Sequence, residues 1–327
     1  MSIRATAKPF FLLFLLTCIG VIGPAETEAQ NARTREAGRE PLNARLMTFN
    51  IRFNNPNDGV NAWPNRKDRV FEVLIGSGTP SDPAWDVIGL QEVLEGQLRE
   101  IQAAVPGYAS VGVGRDDGKT EGEYAPILYK QSRFEPIDSG TFWLSDTPSV
   151  IASTSWDNVI TRICTWARLK DRETGRELAV YNAHFDHRGQ GSRVRSAELI
   201  AVAAATRPNR DSALAIMGDF NADEDNPAMK LLRGEEVSAE ALPAGEPLAL
   251  PSPPLIDSWR AVHPNEPARG TFSRWRADET RGGKIDTIFV QRDAHVVDAR
   301  IDREAGATAD GRAPSDHFPV TAVVRWP

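Results

Sequence analysis

Short apolar runs that end in a polar residue recur along this chain. Ala213-Leu214-Ala215-Ile216-Met217 is an unbroken apolar run with no helical period, the pattern of a buried strand, and it delivers Asp219 and Asn221 to its end. Leu46-Met47-Thr48-Phe49-Asn50 and Asp86-Val87-Ile88-Gly89-Leu90-Gln91-Glu92 repeat the arrangement. Between them the period changes. A stretch from Asn65 places Val70, Val73 and Leu74 on one helical face, and further helices are predicted from Leu94 to Val105 and near Arg193 to Ala205. With a strand from Tyr108 to Gly114, the N-terminal part reads as βαβαβ. Hairpins follow: Pro126 to Tyr129, Phe134 to Leu144, and Ile163 to Leu169 turning at Asp171-Arg172-Glu173-Thr174-Gly175 into Leu178 to Phe185. Helices alternating with strands and hairpins predict two packed mixed sheets with helices outside. Gly234 to Pro254, rich in Glu, Ala and Pro without period, reads as a surface insertion.

The N-terminus is different in kind. Arg4 and Lys8 precede an apolar stretch from Phe10 to Gly23, and small residues sit at the cleavage offsets of Thr27-Glu28-Ala29. This predicts a secretory signal peptide over 1–29, hence an exported protein, secreted or periplasmic. The apolar core is shorter than the roughly 18 to 20 residues that span a bilayer. Anchoring by a retained helix, or by lipid on Cys18, is the alternative. Residues 30–43 are polar and aperiodic and read as a disordered linker, which leaves 44–327 as the folded domain.

Cleavage after Ala29 would leave Cys164 as the only cysteine, so the domain must be stable through its core alone. Within the run Ile163 to Trp166, Cys164 reads as a small buried hydrophobe. The formal net charge is -7, which argues against indiscriminate binding to long nucleic acid, where Lys and Arg supply most of the affinity. One basic loop stands out, from Asp186 to Arg195. It reads equally as a phosphate-contacting segment or a solvated helix start.

Three further motifs carry chemistry: Gly218-Asp219-Phe220-Asn221, Lys284-Ile285-Asp286 and Ser315-Asp316-His317, the last just before a strand-like segment. Strand ends thus offer Asn50, Glu92, Asp219, Asn221, Asp286, Asp316 and His317, a set suited to hydrolysis of a phosphate ester with an oxygen-liganded metal and a positioned water. No nucleotide-binding glycine loop, zinc-ligand spacing or activated serine emerges.

In this order and spacing the residues resemble the endonuclease/exonuclease/phosphatase superfamily, which includes deoxyribonuclease I, abasic-site endonucleases, inositol-polyphosphate phosphatases and neutral sphingomyelinases. The resemblance runs from Arg45 to Trp326. Exported bacterial members are the more similar, through Gly112-Val113-Gly114-Arg115-Asp116-Asp117-Gly118 and Asn182-Ala183-His184-Phe185-Asp186-His187-Arg188-Gly189. It implies a four-layer α/β sandwich of deoxyribonuclease I type and a metal-dependent hydrolase, with Mg²⁺, or Mn²⁺ in its place, held by Asn50, Glu92 and Asp316. Asp219 is implied to deprotonate the attacking water and Asn221 to hold it. His317 is implied to contact phosphate with Asp286 on its other nitrogen, and His184 to be the second histidine.

Arg162, Arg115 and Tyr124 are candidate substrate contacts, while His187 and His263 read as surface residues. Thr287 departs from the family pattern, where an aromatic commonly follows the aspartate. The substrate stays open among a short or single-stranded nucleic acid end, a sugar or inositol phosphate, and a phospholipid headgroup. A lipid enzyme would show an exposed apolar hairpin, for which Gly140-Thr141-Phe142-Trp143-Leu144 is the one candidate. A catalytically silent binding module on the same fold is the alternative from another class. A monomer is expected.

Overall fold

The computed structural model describes residues 40–238, 255–267 and 269–327. The signal-peptide expectation, most of the linker and most of the insertion therefore lie outside the described residues. β1 (Leu42–Asn50), α1 (Lys67–Ile75), β2 (Val87–Gln91), α2 (Glu95–Ala104), β3 (Tyr108–Val111) and β4 (Ile127–Lys130) come first. They are followed by β5 (Phe134–Trp143), β6 (Ile163–Asp171), β7 (Glu177–His184), α3 (Gln190–Ala205), β8 (Ala213–Asp219) and α4 (Pro227–Leu232). The chain ends with β9 (Leu255–Asp257), α5 (Ser258–Val262), β10 (Asp286–Gln291), β11 (His295–Ile301) and β12 (Val320–Trp326).

The strands form two six-stranded sheets, ordered β11-β12-β1-β2-β4-β3 and β5-β6-β7-β8-β10-β9. Leu46, Val87 and Ile127 from the first sheet pack between the layers on Val180, Ala215, Met217 and Ile288 from the second. On the outer face of the first sheet, Met47, Phe49, Ile88 and Leu90 meet Val70, Val73 and Leu74 of α1 and Leu98 and Ile101 of α2. On the outer face of the second, Leu214 and Ile216 meet Val194, Ala197, Ile200 and Ala201 of α3. This is the four-layer sandwich. Leu46 faces the other sheet and Met47 the helices because successive strand residues point to opposite faces.

Several expectations are corrected. Leu42 and Asn43, assigned to the linker, already pair with Trp326 and Arg325 in β1. The βαβαβ order holds along the chain but not in the sheet, because β4 lies between β2 and β3 and is antiparallel to both. Gly140–Leu144 is no exposed hairpin: Trp143 and Leu144 are buried, and Gly140 to Trp143 pair with β6. The exposed large apolar residues nearby are Val150, Ile151 and Val159, in the loop after it.

Two parallel pairs position the chemistry. β1 runs through α1 to β2, and β7 through α3 to β8, so Asn50, Glu92, His184 and Asp219 all fall at the carboxyl ends of parallel strands. Buried Asn182 pins the sheets together: its Nδ2 donates to the carbonyls of Leu90 at 2.7 Å and Pro126 at 2.9 Å, and its Oδ1 accepts from Gln91 Nε2 at 2.7 Å. Each such bond contributes only about 1 kcal/mol net, less than the roughly 1.5 to 3 kcal/mol of one buried leucine. Direction matters more than strength, because these bonds fix β2 against β7 immediately before Glu92. A Cβ at Gly89 would meet Asn182 Oδ1 at 2.6 Å, so glycine is what lets the sheets approach.

Candidate active site

Gly218 opens the GDFN turn with φ 154, and a Cβ there would meet the Ala183 carbonyl at 2.1 Å. Glycine satisfies both constraints, so β8 stays paired with β7 up to the rung that sets His184 opposite Asp219. Asp286 faces Asp219 from the antiparallel β10. The loop before β12 brings in Ser315, whose hydroxyl donates to the Asn50 carbonyl at 2.7 Å. Four separate elements thus meet at one carboxylate.

That carboxylate is Asp219. Its Oδ2 accepts from Asn50 Nδ2 at 2.9 Å and lies 3.6 Å from His184 Nε2 and 3.7 Å from His317 Nε2. Asn221, held at φ 47, donates its backbone N–H to Asp219 Oδ1 at 3.0 Å and its side-chain Nδ2 to the Phe185 carbonyl at 3.0 Å. Burial, reinforced by the charge of Asp286, pushes Asp219 up to about 7. The two histidines diverge. Burial alone would lower His317, but Asp286, 2.9 Å from its Nδ1, and Asp219 outweigh it and hold the imidazole well above its ordinary value. His184 sits well below, because of burial first and then the nearby Arg162 and Arg115 guanidiniums. Near neutral pH one histidine is charged, the other neutral, and the carboxyl between them can take up or release a proton.

Glu92 adopts φ 59 at the end of β2. Its Oε1 accepts from Asn50 Nδ2 at 3.1 Å and its Oε2 from Phe53 N at 3.2 Å. Asn50 therefore turns its NH₂ towards two carboxylates, the only orientation that satisfies both, while its Oδ1 accepts from Arg52 N at 3.0 Å. Asp316 lies on the same side, with Arg52 between it and Glu92. Burial raises the Asp316 carboxyl, an effect that His317 opposes and Glu92 adds to.

Among the described residues, Asp219, Asp286 and His317 bring three ligand-type atoms within 4.8 Å of one another. Asp286 occupies the Nδ1 side of His317, which leaves its Nε2 facing the Asp219 carboxylate. Glu92 and Asp316 supply hard oxygen donors without thiolate, a set that fits Mg²⁺ or Mn²⁺.

The substrate candidates fare differently. Arg162 is buried at 3 % exposure; its Nη2 meets His187 Nδ1 at 3.1 Å, while Nε and Nη1 have no hydrogen-bond partner. Arg115 forks onto Glu123 at 2.8 and 3.0 Å. Tyr124 gives its hydroxyl to the Lys119 carbonyl at 2.8 Å, so what it shapes is its own loop. A recess of about 10 Å³ lies between Arg115, Glu123, Tyr124, Arg162 and His184, the room of a single water. His187 is exposed, as read, but faces Arg162, and His263 donates or accepts at Glu266 and Ala299 away from the site. In the basic loop, Arg193 turns back to the Asp186 carbonyl and Gln190, and Arg195 pairs with Glu198.

Sequence reading missed Glu123, whose Oε2 lies 3.8 Å from His184 Nδ1 and whose carboxyl is raised by burial against the opposing pull of Arg115. Its Gly- and Glu-rich surroundings carry no periodic signal. Arg52 was missed too, although it lies two residues beyond Asn50, the end of β1. Thr287 receives an explanation: Lys284, fully buried, donates to Thr287 Oγ1 at 2.8 Å and Asp257 Oδ2 at 2.6 Å. A buried ammonium needs such partners, and an aromatic at 287 would remove one. Cys164 is buried, and burial pushes its thiol up.

The sequence model described as the Endonuclease/Exonuclease/phosphatase family matches residues 47–317. The chain belongs to this family. A family protein from Bacteroides vulgatus is 33% identical with a TM-score of 0.73, covering 88% of this chain and 100% of that one. A mannosyl-6-phosphatase from Bacteroides thetaiotaomicron is 29% identical with a TM-score of 0.73, covering 86% of this chain and 99% of its own. An uncharacterized protein of Acanthamoeba polyphaga mimivirus is 26% identical over 195 residues, which is 49% of this chain but only 27% of that protein. As a member of the endonuclease/exonuclease/phosphatase family, the chain is a hydrolase acting on phosphate esters. Among the described residues no helix is long and apolar enough to cross a membrane.

Proposed function

We propose that this chain is a Mg²⁺-dependent hydrolase of small phosphate esters, with Mn²⁺ able to replace Mg²⁺, and that it is exported. The observation that carries the reading is Asp219 set between His184 at 3.6 Å and His317 at 3.7 Å, with the Glu92 carboxylate on the same Asn50 amide. Asp219, raised to about 7 by burial and Asp286, takes the proton of the attacking water. Asn221 spends its Nδ2 on Phe185, leaving its oxygen to orient that water. His317, fixed by Asp286 on Nδ1, offers its Nε2 proton to the phosphoryl oxygen that gains charge. A divalent ion held by Glu92 and Asp316 would supply Lewis-acid polarisation of the phosphoryl group. Neutral His184 carries one ring N–H and one lone pair, and Arg162 a guanidinium that is only partly satisfied, so both are poised towards the ester.

Small esters are favoured because three of the arginines offered by sequence are engaged internally, Arg115 with Glu123, Arg193 with Gln190 and Arg195 with Glu198, which leaves Arg162 and exposed Arg188. A polynucleotide needs a track of available cations. The mannosyl-6-phosphatase similarity makes sugar phosphates the first substrates to try. The test is a panel of mannose 6-phosphate and other sugar phosphates, a generic phosphodiester, a single-stranded oligonucleotide and plasmid, each with Mg²⁺ and with chelator. Sugar phosphates should turn over, and any oligonucleotide binding should fall with salt at a log–log slope of about three or less. Efficient plasmid degradation with a steep slope would reject the small-ester reading. Export would be refuted by intact Met1 on cytoplasmic material, since mature protein should begin near Gln30.

A further inference from the structure

Arg52 stands between the two carboxylates on the cation side of the site. Its Nη1 is 3.7 Å from Glu92 Oε2 and its Nε 3.9 Å from Asp316 Oδ2. Outwards, Nε and Nη2 fork onto Asp58 at 3.0 and 3.2 Å. The backbone beneath adopts φ 57, a left-handed conformation unfavourable for any residue but glycine. Three side chains hold it there. Arg52 N donates to Asn50 Oδ1 at 3.0 Å, while its carbonyl accepts from Arg66 Nη2 at 2.7 Å and Gln97 Nε2 at 3.0 Å. Arg66 also donates to the carbonyls of Ile51 and Pro314, tying the end of β1 to the loop that carries Asp316. Backbone strain fixed by several independent partners is what a placed functional group requires, and an ordinary surface ion pair needs none of it.

Resting on the reading that Glu92 and Asp316 bind a divalent ion, we propose that Arg52 is a resident cation of that site and limits it to one such ion. Arg66 stands behind Arg52, so two guanidiniums face the Asp58, Glu92 and Asp316 carboxylates. A second divalent ion would have to share the Glu92 and Asp316 carboxylates with a guanidinium that already stands between them. Arg52 thus takes the place a second metal would fill and acts as a positioning residue for the first.

The test is calorimetric titration of the full chain with Mn²⁺ alone, for the wild type, Arg52→Met, Arg52→Gln and Arg52→Lys. The wild type and Arg52→Lys should bind one ion per chain. The two neutral variants should bind Mn²⁺ about tenfold more tightly or more, or accept a second ion, because repulsion between a unit charge and a divalent ion about 4 Å apart exceeds a tenfold effect even at the dielectric of water. Two ions in the wild type would overturn the inference, as would unchanged or weaker binding in the neutral variants. Two ions in the wild type reject the inference whether or not the neutral variants fold. No Mn²⁺ binding by the wild type would remove the metal reading itself and this inference with it, whereas one bound ion with unresponsive variants would remove the role of Arg52 alone.

Discussion

Asn50 and Asp219 lie 169 residues apart in sequence and on different sheets, yet Nδ2 of one donates to Oδ2 of the other at 2.9 Å. The same NH₂ group reaches Glu92 at 3.1 Å, so one amide keeps two carboxylates apart and oriented. Asn50→Leu should lower kcat by about a hundredfold, because a positioned acid–base group contributes on that scale and a shift of about 1 Å removes it. Steady-state kinetics at saturating metal would check this. A variant with near-wild-type kcat would show that Asp219 does not depend on the bridge.

His317→Ala and Asp286→Asn should each reduce kcat by about a hundredfold or more, with little change in KM if His317 acts mainly in the transition state. Asp286 holds the Nδ1 proton at 2.9 Å, so its loss should also bring the imidazole back towards its ordinary value. A titration of the His317 ring followed by NMR in wild type and Asp286→Asn reads this directly. Equal values in the two proteins would contradict the pairing.

Asp219 predicts a pH dependence of stability. Its carboxyl, ordinarily near 3.8, is raised to about 7 by burial and Asp286, so between those pH values the folded state binds a proton that the unfolded state has lost. Stability from this group is present at low pH and falls as pH rises through the folded value. Asp219→Asn removes the slope. The variant should therefore gain on the wild type by about 2 kcal/mol between pH 5 and 7, measured by urea unfolding in the presence of chelator. A pH-independent difference would mean that Asn50 and Asn221 keep the carboxylate charged.

Glu92→Gln should leave the fold intact, since the amide can still accept from Phe53 N, now bonded to the carboxylate at 3.2 Å. It should raise the Mg²⁺ concentration for half-maximal activity by about tenfold or more, the loss of one carboxylate ligand weighing heavily where only one or two protein carboxylates hold the ion. Activity at full level in excess chelator would reject metal dependence altogether.

The sequence by itself determined which residues can form strands and where those strands end, because burial on both faces writes an unbroken apolar run that stops at the first polar residue. That is why Asn50, Glu92, Asp219 and Asp286 were legible, and why the two-sheet sandwich followed from the alternation of helix and hairpin patterns. Strand order was not legible: β4 lies between β2 and β3 through non-local pairing that no local period records. Only the tertiary structure decided that Asp219 sits between two histidines whose proton affinities are pushed in opposite directions, since burial and distance, not residue type, set those shifts. It likewise placed Glu123 behind His184 and Arg52 between Glu92 and Asp316. Both come from loops, where conformation follows from what the chain packs against and leaves no signal in the sequence.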